Sequence, residues 1–191
     1  KCHGITADGN VAISGGAVQA SVSGNASKGI TADGTMNISG GKMTLLTSGA
    51  AYYDTTDKDV SGCAGLKSDG NMTISGGTIL VKSTGIGGKG LSTDGVYTQT
   101  GGTVKAMTTG KKYTYSSSLD TSAKGLKADG KMVMSGGTLI VKATGGEGSE
   151  GIETKNTLTV DGGTIASYSY DDGINASGNI TINNGYVYGQ G

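Results

Sequence analysis

Five aspartates, Asp8, Asp33, Asp69, Asp94 and Asp129, recur in the same Asp-Gly dipeptide; Lys155 and Ser177 take that place in the last two copies. Carboxylates stacked at strand spacing repel one another unless something compensates them. An Asx-type turn would do so, each carboxylate accepting a backbone N–H at its own corner. Calcium bridging adjacent copies through hard oxygen ligands is the alternative. A catalytic carboxylate pair fits least, since such a pair occurs once rather than five times. Glu150, Glu153, Asp171 and Asp172 form a local excess of acid. With Asp129 they mark where a calcium ion would sit, and solvated or lysine-paired carboxylates are the reading favoured over it. Asp54, Asp57 and Asp59 are a weaker triplet without the full loop pattern of calcium sites.

A second set of residues suits recognition rather than reaction. Tyr52 and Tyr53 lie in one insertion, Tyr113 and Tyr115 in another, at matching offsets. An exposed tyrosine stacks its ring on a sugar face while its hydroxyl bonds to sugar oxygens. Pinning the loops to the body of the protein would use the same residues. Lys82 and Lys142 share a column with Leu46, Met107 and Tyr168, and Lys105 shares another with Leu80, Ile140 and Tyr188. Apolar residues facing outward with interleaved lysines mark a covered or binding surface. Self-association would use such a face equally well, and so would a uronic-acid polymer with carboxylates meeting ammonium groups.

The bulk numbers narrow the classes. Fifteen lysines balance fifteen acids, so no global field draws the chain to nucleic acid or an anionic membrane. No stretch approaches the length of a membrane span. Two cysteines and one histidine, without a CxxC, exclude an ordinary zinc site. Cys2 and Cys63 hold the same offset two repeats apart, which places their Cα atoms about 10 Å apart. That is beyond disulfide reach, so two free thiols are expected.

These residues must be positioned by a repeat. The unit is Gly-Ile/Leu-x-small-Asp-Gly, an alternating run, a Gly-Gly pair, and a second alternating run. Its first glycine falls at Gly4, Gly29, Gly65, Gly90, Gly125, Gly151 and Gly173. The pair follows at a constant offset at Gly15, Gly40, Gly76, Gly101, Gly136 and Gly162, with Asn184 in the seventh unit. Apolar positions alternate within each run, which is strand periodicity. Stacked columns of like residues predict a single-stranded, right-handed parallel β-helix of about seven rungs spanning residues 1–191 as one domain. The bore should be narrow and filled by small side chains. Both ends stop within a rung. Insertions at 48–62 and 109–122 fall at one point of the second and fourth rungs and should project from one side, about 10 Å apart.

The segments KGITADGTMNISGG, GLKSDGNMTISGG, KGLKADGKMVMSGG and DDGINASGNITINNG resemble the bacterial carbohydrate-binding parallel β-helix family related to pectate lyases. The resemblance covers essentially the whole chain. It implies a secreted or surface-exposed protein that holds calcium between rungs and binds acidic polysaccharide. The family motif has Asp before the anchor glycine; here Lys28, Lys89 and Lys124 replace it in three rungs, so an ammonium group can stand in for the metal charge there. The resulting expectation is a non-catalytic extracellular carbohydrate-binding module. Its binding residues would be Tyr52, Tyr53, Tyr113 and Tyr115, with Lys82, Lys105 and Lys142 next. A polysaccharide lyase of pectate-lyase type, with calcium and a lysine base, and a structural or adhesive stalk are the rival readings.

Overall fold

The computed structural model describes residues 2–191. A seven-stranded parallel sheet is built from Ile5–Ala7, Lys28–Ala32, Ala64–Ser68, Lys89–Thr93, Lys124–Ala128, Glu150–Thr154 and Ile174–Ala176. Its register aligns Ile30 with Leu66, Leu66 with Leu91, and Leu126 with Ile152, so the first predicted column is an observed one. Of the remaining strands, four form two antiparallel hairpins and twelve form one large sheet. One arm carries the column Val11, Met36, Met72, Tyr97, Met132, Leu158 and Ile180. The other carries Val18, Met43, Ile79, Val104, Leu139, Ile165 and Val187.

The two arms are joined by the long strands Val11–Val22 and Met36–Thr47, which run through the Gly-Gly corner without a break. Ser14 pairs with Gly40, and the ladder resumes at Ala17 and Lys42. Met36–Thr47 then pairs with both Met72–Ile74 and Thr78–Ser83. The expected single-stranded right-handed parallel β-helix is therefore corrected. The chain is an all-β structure of two unequal parallel sheets, the larger a half-barrel, and two antiparallel hairpins. The physical reason lies at the corner. Gly41 has φ +84° and Gly77 φ +83°, and a Cβ on Gly76 would lie 2.2 Å from the Ser39 carbonyl oxygen. Backbones meet there closely enough for hydrogen bonding to run past the bend.

The core lies between the sheets. Ile30, Met36, Ile38, Leu66, Ile79, Leu91, Val104 and Leu139 are fully buried, each contributing about 1.5–3 kcal/mol by leaving water. It is not filled by small residues alone. Tyr97 is buried, and its hydroxyl donates to Gln99 Oε1 at 2.8 Å. Gln99 Nε2 in turn donates to the carbonyls of Gly101 and Thr138. The aromatic fits because the one polar member of the neighbouring column satisfies its hydroxyl. Burial pushes the Tyr97 phenol well above its ordinary range.

Each insertion forms a hairpin: Tyr52–Asp54 pairs antiparallel with Asp59–Ser61, and Tyr113–Thr114 with Asp120–Thr121. They are not separate projections. The Tyr53 and Tyr115 rings stack with centroids 3.9 Å apart and 3° between planes, which ties one hairpin to the other. Cys2 and Cys63 are free thiols, one exposed and one buried.

Candidate functional site

Two surfaces gather polar and aromatic side chains. The first is the outer face of the large sheet's second arm. Strands Thr78–Ser83, Thr103–Thr108, Thr138–Ala143 and Thr164–Ser169 alternate, so every second side chain points to solvent. Leu80, Met107 and Tyr168 are 48, 42 and 38 % exposed. With Lys105, Ile140 and Lys142 they line a groove of about 300 Å³. Lysine stems extend the apolar floor while their ammonium groups stay at the rim. Lys82 and Lys142 both sit opposite Met107, two strand spacings or about 9.6 Å apart. Tyr188 flanks the groove, its ring 5.3 Å from that of Tyr168 and tilted by 45°. A floor that covers C–H faces, an aromatic ring and spaced cations suits a flat amphipathic ligand carrying anions.

The second surface is a polar cleft between the outer face of the small sheet and the two hairpins. Lys67 Nζ bridges Asp69 at 2.6 Å and Asp94 at 2.7 Å, and Lys127 Nζ holds Asp129 at 2.6 Å. These lysines stand two residues before the aspartates and face the same way. The corner N–H groups are already engaged: Asp69 N donates to Ala32 O and Asp94 N to Ser68 O. Three of the five aspartates, Asp69, Asp94 and Asp129, are thus neutralised by lysine, and from Lys67 and Lys127 rather than from Lys28, Lys89 and Lys124.

Those three lysines act elsewhere. Lys28 Nζ donates to the carbonyls of Ala26 and Gly62. Lys124 Nζ lies 2.8 Å from Glu150 Oε1 and 3.3 Å from Glu153 Oε2. Lys89 Nζ donates to Thr121 Oγ1 on the second hairpin at 2.6 Å.

The five carboxylates expected around calcium do not fit one. Lys127 holds Asp129, and the Lys124 ammonium lies between Glu150 and Glu153, where a cation would have to go. Asp171 accepts from the Gly148 amide, and Asp172 from Asn175 Nδ2. In the first hairpin, Asp54 accepts from Tyr52 Oη and the Thr56 amide, and Asp59 from the Val60 amide. Among the described residues no group of three or more His, Cys, Asp or Glu side chains converges.

Burial lowers the Lys89 amine to about 7, helped by the charges of Lys127, Lys28 and Lys124 and opposed by Glu153. Below that pH the folded protein carries a buried cation, and between it and 10.5 the unfolded chain binds a proton that the folded one lacks. Stability from this group therefore rises with pH across that window. Lys89→Met should be more stable than the parent by about 1–2 kcal/mol at pH 6, a discounted figure because the side chain is partly solvent-accessible. The gap should close by pH 10. Urea denaturation of both proteins at three pH values checks this, and a pH-independent gap would contradict it.

Of the residues expected to bind, Lys105 and Lys142 share the groove, with Lys82 on the same face. Tyr53 and Tyr115 are on the hairpins with one ring face each against the other, and Tyr52 is bonded to Asp54. Tyr113 lies in the strand of the second hairpin that pairs with Asp120–Thr121. Tyr168 and Lys89 lie outside the set of binding residues expected from the sequence. Tyr168 was visible as the aromatic member of the Lys142 column; Lys89 had no signal beyond its place before an anchor glycine. A family model described as carbohydrate-binding domain-containing protein matches residues 3–111 and 116–190. No curated protein and no solved structure matches the chain. With almost its whole length covered by that model, the chain belongs to the family of carbohydrate-binding domain-containing proteins.

Proposed function

We propose that the chain is a non-catalytic, extracellular module that binds acidic polysaccharide along the outer groove of the large sheet. The observation that carries this is the placing of Lys105 and Lys142 beside Tyr168 on the apolar floor of Leu80, Met107 and Ile140. The aliphatic floor and the ring take the C–H faces of sugars. The ammonium groups take carboxylates, and their spacing across strands suits a repeating anion. Lys82 extends the same row. Among the residues lining the groove there is no carboxylate, so the paired acids of glycoside hydrolysis have no place there, and the lysine-base lyase is separated by its unsaturated product. A uronic-acid polymer is found outside the cell, which supports the location. The hairpin tyrosines are a weaker choice, because Tyr53 and Tyr115 stack on each other and the family match skips 112–115.

Calorimetric titration with polygalacturonate and with a neutral glucan tests the reading. Tyr168→Ala and the double change Lys105→Ala, Lys142→Ala should each weaken polygalacturonate binding at least about tenfold, or about 1.4 kcal/mol. Added salt should weaken it further, and a chelator should change nothing. Changing Tyr53 and Tyr115 to alanine should leave affinity within about twofold, since neither reaches the groove. If the hairpin changes abolish binding and the groove changes do not, the site lies on the hairpins. Ultraviolet absorbance from unsaturated product would replace the module with a lyase.

A further inference from the structure

The lysines of the outer groove are not in one line. Lys82 pairs with Met107 and Met107 with Lys142, so these share a column. Leu80 pairs with Lys105 and Lys105 with Ile140 in the column two residues away. Three successive strands thus each offer one lysine and one apolar side chain to the outer face, and the order reverses from each strand to the next. The fourth strand carries the apolar alternation on, with Tyr168 paired to Lys142 and Ala166 to Ile140. Neighbouring strands lie about 4.8 Å apart, and the two columns about 6.7 Å apart.

We propose that this groove reads a flat-ribbon polyuronate, a β-1,4-linked chain with a carboxylate on every sugar, at one sugar per strand. The proposal deepens the function given above and rests on it. In an equatorially linked chain of this kind each pyranose is flipped over relative to the one before. Its carboxylates leave alternate edges of the ribbon, and axial C–H bonds cover both flat faces. Each sugar advances the chain by roughly one strand spacing. Laid across the strands, such a ribbon meets Lys82, Lys105 and Lys142 on alternate edges. Its C–H faces rest on Leu80, Met107, Ile140 and Tyr168, and the lysine stems carry each ammonium to the rim.

Other acidic chains fit this pattern less well. In α-1,4-linked polygalacturonate the linkages are axial, so the rings buckle away from a flat floor. A ribbon with a carboxylate on every second sugar carries them along one edge and leaves Lys105 idle. Alternation also keeps like charges from standing directly opposite one another, which favours any sheet, so affinity and stability are read separately.

The probes are β-1,4-linked polyglucuronate and polygalacturonate, titrated calorimetrically. The unaltered protein should bind polyglucuronate at least about fivefold tighter. Lys105→Met together with Met107→Lys keeps charge and composition but puts all three lysines in one column. Affinity for polyglucuronate should fall at least about fivefold in this exchange variant, with its urea midpoint showing that it folds. Lys82→Leu together with Leu80→Lys is a second exchange with the same expected loss. An exchange variant that folds and binds like the parent would overturn the inference, as would polygalacturonate bound as tightly as polyglucuronate. Either result leaves the acidic-polysaccharide reading standing. If the unaltered protein binds neither polymer, that reading falls, and the inference with it.

Discussion

Gly110→Ala should cost about 4 kcal/mol of stability or more, enough to prevent folding in a marginal domain. A Cβ at Gly110 would lie 1.7 Å from the carbonyl oxygen of Gly85 and 2.4 Å from its carbonyl carbon. The same holds along a column: Gly49 against Gly24 at 1.9 Å, Gly85 against Gly49 at 1.7 Å, and Gly145 against Gly110 at 1.7 Å. At Gly110 every obstructing atom is backbone, so no rotamer change relieves the clash. Whole repeats would have to separate, and the parallel ladders on both sides would lengthen with them. Gly15→Ala is the matched control, because nothing lies within 4 Å of a Cβ there. Its effect should stay within about 0.5 kcal/mol. Urea midpoints of the two variants beside the parent decide the matter. Equal midpoints would mean that the layers can part without cost.

This column also shows what the repeat does and does not disclose. Gly24, Gly49, Gly85, Gly110 and Gly145 each follow Ser or Thr at the end of a second run. Each stands twenty residues after its anchor glycine, so the column itself is legible in the spacing, whereas how closely the backbones approach there is not. Strand positions and register were legible, since like residues recur at fixed offsets and, apart from the Ser14–Gly40 shift at the corner, the pairs between repeats join equivalent positions. The sheet organisation was not. Side-chain alternation is interrupted at the glycine corner whether or not backbone hydrogen bonds continue, so it cannot tell a bridged corner from an open one. Tyr97 and Gln99 looked like two exceptions, yet together they form one satisfied pair in the core. The site was partly legible for the same reasons. Outward columns on regular strands placed Lys82, Lys105 and Lys142 on one face, while the hairpins, outside the repeat, gave no clue that Tyr53 would stack on Tyr115.

Lys124→Met is expected to cost about 3–5 kcal/mol at pH 7, the usual consequence of removing one partner from a buried ionic cluster. Lys124, Glu150 and Glu153 side chains are only 10, 12 and 19 % exposed, and the ammonium is the group between the two carboxylates. Burial already raises Glu150 above the ordinary carboxylate range, with Lys124 opposing that rise and Glu153 adding to it. Without the ammonium, both acids face each other in a poorly solvated place, and the upward shift of Glu150 should grow. A carboxyl whose folded pKa exceeds its unfolded value gains stability as pH falls and loses it as pH rises through the folded value. The deficit of the variant should therefore shrink from pH 7 toward pH 5. Changing Glu150 and Glu153 to glutamine in the same chain should recover most of it, leaving the triple variant within about 1 kcal/mol of the parent, since a cluster removed whole leaves no orphan charge. If Lys124→Met costs as much with the two glutamines as without them, its role is packing of the aliphatic stem. Recovery instead would identify Lys124 as the fixed cation of this end of the sheet, supplying the charge balance for which calcium was the alternative.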